Sequence, residues 1–186
     1  MRIAVMAAGA VGGYFGARLA AAGHDVVFFA RGKHLEAIRK NGLKIESVRG
    51  NLHLKDVVAT DTAEGIAPVD VVLFAVKIWD NEKAAEIVKP LVGPNTRVIT
   101  AQNGIDTIDM IAPIVGREHV VPGLAQISAQ ISQPGIISHT TPFHLWAFGH
   151  VDGRKDPLLA ELAEAGKAAG VDFAISENIE RDLWIK

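Results

Sequence analysis

Residues 2–32 read RIAVMAAGAVGGYFGARLAAAGHDVVFFARG, and the fold class turns on this stretch. Its first five residues are a largely apolar run that stops at a glycine-containing turn. Val11, Phe15 and Leu19 follow at i, i+4 and i+8, the spacing of one helix face, and the pattern ends at Gly23. DVVFFA at 25–30 is again short and uniformly apolar rather than alternating. Such strands, joined by helices, belong to a parallel sheet covered on both faces. The stretch is therefore expected to form a βαβ unit, with its glycines between strand and helix.

Working outward, a helix is expected over 33–40. A β-hairpin insertion is expected within NGLKIESVRGNLHLKDVVAT at 41–60, where Asn41-Gly42 and Gly50-Asn51 supply turn residues. VDVVLFAV at 69–76 carries the strongest buried-strand signal and ends at Lys77. A helix over 80–88, a strand over 97–101 ending at Gln102-Asn103-Gly104, and a helix to about 115 continue the α/β rhythm. From 120 to 149 the texture changes to short β-like pieces, read as added, partly antiparallel strands. A polar helix over 157–169 and the strand VDFAI at 171–175 follow, and Ser176 is expected to cap a final helix reaching Lys186. The fold class is α/β: a Rossmann-like, doubly wound, mostly parallel sheet with added antiparallel strands.

The totals agree with this. At 186 residues the chain suits one domain, or one with an appendage. A domain of this size buries roughly 70% of its unfolded surface without needing disulfides or metals. Hydrophobic residues make up 49% and charged residues 22%, a globular balance. A net charge of −2 points to neither nucleic acid nor an acidic membrane as partner. The absence of cysteine excludes a disulfide framework and a thiolate zinc site, and fits a cytoplasmic location. Arg2 before an Ala-rich run resembles a secretory leader, but Gly9, Gly12, Gly13, Gly16 and Arg18 interrupt it. No other stretch approaches the roughly 18 apolar residues of a membrane-spanning helix.

Ligands of a doubly wound sheet bind beyond the carboxyl ends of its strands, so the strand ends come first. Ala7, Ala8, Gly9, Ala10, Val11 and Gly12 keep two of the three glycines of G-x-G-x-x-G. Gly9 would let backbone approach a pyrophosphate held at the helix N-terminus, and Gly12 would let helix pack closely on strand. Ala7 replaces the first glycine, and costs roughly 1–2 kcal/mol only if its φ is positive. An NAD site usually has an acid after the second strand; here Arg31 and Lys33 stand there, which suits the 2′-phosphate of NADP(H). Lys77 and Asn103 fall at two further strand ends, where each is either a cofactor or substrate contact or an ordinary solvated lysine and turn asparagine. His139, His144 and His150 match no metal-binding spacing, so no metal is expected. Trp79, Trp146 and Trp184 read as core or interface residues.

Taken in order, the N-terminal turn, ARG after the second strand, VK closing the central strand, the Q-N-G turn and the terminal ERDLWIK resemble the ketopantoate reductase (2-dehydropantoate 2-reductase) family. The resemblance runs along essentially the whole chain and implies NADPH-dependent reduction of 2-dehydropantoate to pantoate, in the route to pantothenate and coenzyme A. It implies that residues 7–12 hold the pyrophosphate, Arg31 the 2′-phosphate, and that Lys77 lies near the cofactor. It further implies that Asn103 contacts nicotinamide and substrate, that Ala129 lines the cofactor, and that Lys186 is the catalytic lysine. Family members continue into a helical second domain. Residues 1–175 are accordingly expected to be the NADP-binding domain and 176–186 the start of a truncated second domain, leaving a chain with little or no reductase activity. An apolar patch around Trp184 and Ile185 is expected to favour homo-oligomers. Three readings stand beside this one: a reductase of another 2-oxo acid, a non-catalytic dinucleotide-binding module, and an interaction domain without a ligand.

Overall fold

The computed structural model describes residues 1–102 and 106–186. Strand β1 (Arg2–Met6), helix α1 (Ala10–Ala21) and strand β2 (Asp25–Phe29) form the expected βαβ unit. Next come α2 (Gly32–Asn41), β3 (Leu43–Ser47), β4 (Leu52–Leu54) and β5 (Val58–Thr60). The alternation resumes with β6 (Val69–Phe74), α3 (Asn81–Val88), β7 (Val92–Thr100), α4 (Thr107–Val115) and β8 (Val120–Val121). The chain continues through β9 (Gly123–Gln133), β10 (Ile136–Phe148), α5 (Pro157–Ala168), β11 (Asp172–Ile175) and α6 (Ile179–Ile185).

Six strands make a wholly parallel sheet in the order β5-β2-β1-β6-β7-β8. Successive residues of its central strands feed two different cores, because strand side chains alternate between faces. Ile3, Val5, Val26, Phe28, Val71 and Leu73 pack with α1 and α5, while Ala4, Met6, Val27, Phe29, Val72 and Phe74 pack with α3 and α4. Both faces are therefore dry, which is why these strands read as unbroken apolar runs.

A second, mixed sheet is built on β10. Strand β9 pairs with it antiparallel along one side, while β3 and β11 both run parallel to it on the other, and β4 pairs with β3. The two sheets join through polar contacts at their edges. The Trp146 indole N–H donates to the Thr100 carbonyl at 2.9 Å, and the Gly123 amide to the Thr100 hydroxyl at 3.1 Å. Asp156 caps α5 by accepting from the Leu158 amide, and its carboxylate also accepts from Arg97 Nε on β7 at 2.6 Å and from His150 at 3.0 Å. Burial alone would raise this carboxyl's pKa; hydrogen bonds from His150, Arg97 and the Leu158 amide hold it below the usual carboxylate range.

Several expectations are corrected. The expected insertion at 41–60 divides: β3 and β4 form its hairpin, whereas β5 leaves it to pair with β2 in the parallel sheet. Within 120–149 the antiparallel pairing is present, but Val120–Val121 belong to the parallel sheet and the rest is one long hairpin of 11 and 13 residues, whose turn Gly135 sits at φ 79°. Its strands bury one face on α1 and expose much of the other, which broke their hydrophobic pattern. Strand β6 ends at Phe74, three residues before Lys77. The final helix is capped by Asn178, whose side chain accepts from the Arg181 amide at 3.0 Å. Ser176 instead accepts from the Asn178 amide at 3.2 Å and donates to Asp182 at 2.6 Å. Of the tryptophans, Trp146 is fully buried, while Trp79 and Trp184 are 77% and 75% exposed.

A buried aromatic cluster lies beneath the mixed sheet. Tyr14 hydrogen-bonds His144 Nδ1 at 2.8 Å, Ser47 bonds His139 Nδ1 at 2.8 Å, and the two imidazoles lie parallel. His144 Nε2 is buried without a hydrogen-bond partner among the described residues. Burial lowers the His144 pKa from 6.5, with Arg49, His139 and Arg18 acting in the same direction and Asp172 against. The folded state thus favours the neutral ring, and the unfolded chain binds the proton more readily. His144 therefore contributes stability at pH above 6.5 that is lost as pH falls from there through the lowered folded value. Thermal melts should show a midpoint falling below pH 6.5, and His144→Gln should flatten that part of the curve; an unchanged slope would remove His144 as its cause.

Candidate functional site

The crevice forms where the neighbouring strands β2, β1, β6 and β7 end on one side of the parallel sheet. At the end of β1 the chain turns through Ala7 and Ala8 to Gly9, which caps α1 in an extended conformation (φ −70°, ψ −166°) with no side chain to fill the cap. The Gly13 amide donates to the Gly9 carbonyl at 2.8 Å, so the amides before it are the helix's unpaired donors. A Cβ on Gly9 would meet nothing within 4 Å, whereas one on Gly12 would strike the Ala7 carbonyl. Gly12 is thus required by packing, while Gly9 leaves open space in front of the donors. Together they make a cradle for an anion at a helix N-terminus.

No residue other than glycine has positive φ among the described residues, so the left-handed penalty that a positive φ would have placed on Ala7 does not arise. The Ala8 amide donates to the Phe29 carbonyl at 2.7 Å, tying the turn to β2. A residue that sequence inspection missed holds the other side. His34 on α2 hydrogen-bonds the Ala8 carbonyl through Nε2 at 2.9 Å, while its Nδ1 accepts from the Gly135 amide at 3.0 Å. The Gly135 bond leaves Nδ1 without a proton, so Nε2 is the donor and the tautomer is set. His34 thus joins the turn to the β9–β10 hairpin. No local motif marks it; only the pairing of α2 with a hairpin a hundred residues later does.

After β2, Arg31 caps α2 with its side chain 76% exposed, and its Nη2 lies 3.3 Å from Asp80 Oδ2. Lys77 and Asp80 sit together in the loop after β6, Lys77 exposed and Asp80 closing a 3-10 turn. Asp80 was also overlooked, although it lies only three residues past Lys77 at the same strand end. After β7, Gln102 is buried and donates to the Val76 carbonyl at 3.1 Å and Asn81 Oδ1 at 2.7 Å, linking two strand-end loops. Asn103 lies outside the described residues.

Ala8, Gly9, Arg31, Lys77 and the start of α1 are thereby brought together, but Ala129 belongs to a different element. It sits on β9 opposite His139 and packs against the core under the mixed sheet. Lys186 follows α6, which is anchored by Ile179 and Leu183 beside Leu124 and Ala147. Its ammonium donates to the Ala125 carbonyl at 2.5 Å, so the side chain is held rather than frayed. Burial lowers its pKa below the ordinary lysine value. Ala125 is two residues past Gly123, which bonds Thr100 at the end of β7, so Lys186 lies toward the same strand ends. Trp184 and Ile185 are 75% and 74% exposed, as expected for that patch.

A hollow of about 510 Å³ lies elsewhere, lined in part by Asp61, Glu64 and Glu86, whose charge is unsuited to a phosphate. Among the described residues no cluster of three or more histidines and carboxylates could hold a metal, and no helix is long and apolar enough to cross a membrane.

The chain is similar to known proteins along its whole length. The chain is 33% identical over 186 residues to the uncharacterized oxidoreductase YkpB of Bacillus subtilis, covering 100% of this chain and 61% of the relative. It is 30% identical over 207 residues to a 2-dehydropantoate 2-reductase of Mesorhizobium japonicum, covering 100% and 63%. The crystal structure of a 2-dehydropantoate 2-reductase from Geobacter metallireducens superposes with a TM-score of 0.91 at 34% identity, covering 99% of this chain and 60% of that one. The chain thus spans about three fifths of the length of the relatives it matches. Residues 3–153 match the family described as Ketopantoate reductase PanE/ApbA, and the chain belongs to that family.

Proposed function

We propose that this chain is the cofactor-binding part of an NADPH-dependent reductase that converts 2-dehydropantoate to (R)-pantoate, in pantothenate and coenzyme A biosynthesis. One observation carries the proposal: an exposed arginine follows β2, next to an open glycine cradle at the end of β1. The amides at the start of α1 would hold the pyrophosphate, with Ala7, Ala8, Gly9, Ala10, Val11 and Gly12 forming the turn. Arg31 would take the 2′-phosphate by a charge-assisted fork, and Lys77 would add positive charge nearby. Ala129 is proposed to line the cofactor, and Asn103 to orient nicotinamide and substrate.

Bound NADPH would supply the hydride for the keto carbon. Lys186 is the proposed proton donor to the keto oxygen, and its ammonium would stabilise the charge developing there. Partial desolvation suits this role, since an ammonium with a lowered pKa releases its proton more readily. To act, it exchanges the Ala125 carbonyl for the substrate oxygen.

Residues 1–175 are proposed as the NADP-binding unit and 176–186 as the opening of a helical second domain. The exposed Trp184 and Ile185 are its proposed contact face, or a face for self-association when uncovered. Lack of cysteine supports placing the protein in the cytoplasm. A reductase of another 2-oxo acid shares these features, and the kinship with YkpB, whose name specifies no substrate, favours keeping that reading alongside.

Three measurements test the proposal. Fluorescence titration should show NADPH binding more tightly than NADH, and Arg31→Ala should weaken NADPH roughly 10- to 100-fold with little effect on NADH, the range of a lost charged hydrogen bond. Equal binding of both cofactors would refute the role of Arg31. Gly12→Ala should weaken NADPH at least about tenfold and cost about 1–3 kcal/mol of stability by overpacking, while Ala7→Gly should change affinity less than about twofold. Residues 1–186 alone should turn over 2-dehydropantoate slowly or not at all; rapid turnover would show that the substrate site is complete within them.

A further inference from the structure

We propose that Asp80 is a cofactor-specificity determinant, holding the Arg31 guanidinium across the mouth of β1 until a 2′-phosphate takes it over. This rests on the reading of Arg31 as the 2′-phosphate ligand. Strand β1 lies between β2 and β6, so a pair joining Arg31, just after β2, to Asp80, in the loop after β6, spans the carboxyl end of β1. It therefore passes over the turn that contains Ala7, Ala8 and Gly9.

The backbone of Asp80 turns its carboxylate away from the helix it precedes. It stands at the N-cap of α3 but keeps helical dihedrals (φ −99°, ψ 0°) continued from the 3-10 turn, not the extended ones with which an aspartate caps. Here its side chain makes no capping bond, and the Arg31 guanidinium at 3.3 Å is its hydrogen-bond partner among the described residues. The Asp80 side chain is 26% exposed against 76% for Arg31, so the carboxylate is sheltered while most of the guanidinium fork faces solvent. Arg31 offers five N–H donors, and the remainder stay open to an incoming anion.

A 2′-phosphate brings more charge and more acceptor oxygens than one carboxylate, so it can displace Asp80 from the guanidinium. A cofactor ending in a ribose hydroxyl cannot, and enters beneath a pair that stays closed. Asp80 thereby lowers affinity for the phosphate-bearing ligand, which must break the pair to bind, more than for the ligand that leaves the pair closed. Exposed ion pairs are weak, so the effect is of the order of a few-fold.

The test is a double-mutant cycle on the 186-residue chain, with Kd for NADPH and NADH as readout. Asp80→Asn should tighten NADPH about two- to fivefold and NADH by less, widening the preference. In an Arg31→Ala background, Asp80→Asn should change both cofactors equally. An unchanged preference, or the same NADPH gain without Arg31, would overturn the proposal, because the latter is plain repulsion between Asp80 and the phosphate. If Arg31→Ala by itself leaves NADPH binding intact, the phosphate role of Arg31 has failed, and the proposal with it.

Discussion

The site depends on how closely α1 lies against the strands beneath it. A Cβ at Gly16 would come within 2.6 Å of Val5 and 2.8 Å of Phe28, and one at Gly12 or Gly13 would strike the Ala7 carbonyl or Ile137. These three positions leave the helix no room to carry side chains on that face. With none, its axis drops onto β1 and β2, and its first amides end up at the end of β1, where the positive end of the helix dipole is useful. Ile137 is on β10, so the same bare face also sets how near the mixed sheet can come. One strip of glycines therefore fixes the spacing of sheet, helix and second sheet.

Polar joints then hold these layers in register. Thr100 uses both its carbonyl and its hydroxyl to hold the mixed sheet at the end of β7. Asp156 gathers a helix cap, an arginine of the parallel sheet and a histidine after β10 around one buried carboxylate. Gln102 ties the loop after β6 to the end of β7. Thr100 and Gln102 lie at the carboxyl end of β7 and brace that edge of the crevice, while Asp156 ties the start of α5 to Arg97, three residues back along β7.

Much of this was legible from local pattern. The βαβ unit, the parallel sheet and the glycine cradle followed from apolar runs, helix spacing and a turn, all encoded within about thirty consecutive residues. Arg31 was found because its position after β2 is a matter of chain order. What could not be read depends on contacts between distant segments. Asp80 belongs to the site because β1 intervenes between two strands remote in sequence, and His34 because a later hairpin reaches α2. The length of β9 and β10 was hidden because one face is wet and the other dry only in part. The backbone at Ala7 was likewise undecidable in advance, since φ there is set by the strand and helix it joins.

The position of β10 at the centre of the mixed sheet has a consequence for how the chain folds as it is made. The first parallel pair, Arg2 with Asp25, forms within a short loop, so the nucleotide-cradle half can organise early. Strand β3 pairs with β10, Lys44 with Ile136, and so waits for 92 further residues. At cellular synthesis rates of about 5–20 residues per second, the apolar side of the β3–β4 hairpin, Leu43 and Ile45, is left without its sheet for about 5–20 s. An isolated hairpin is marginal on its own. The nascent chain therefore passes through an interval with its first βαβ unit able to form and an unpartnered hairpin beside it, the interval in which a chaperone has most to offer it.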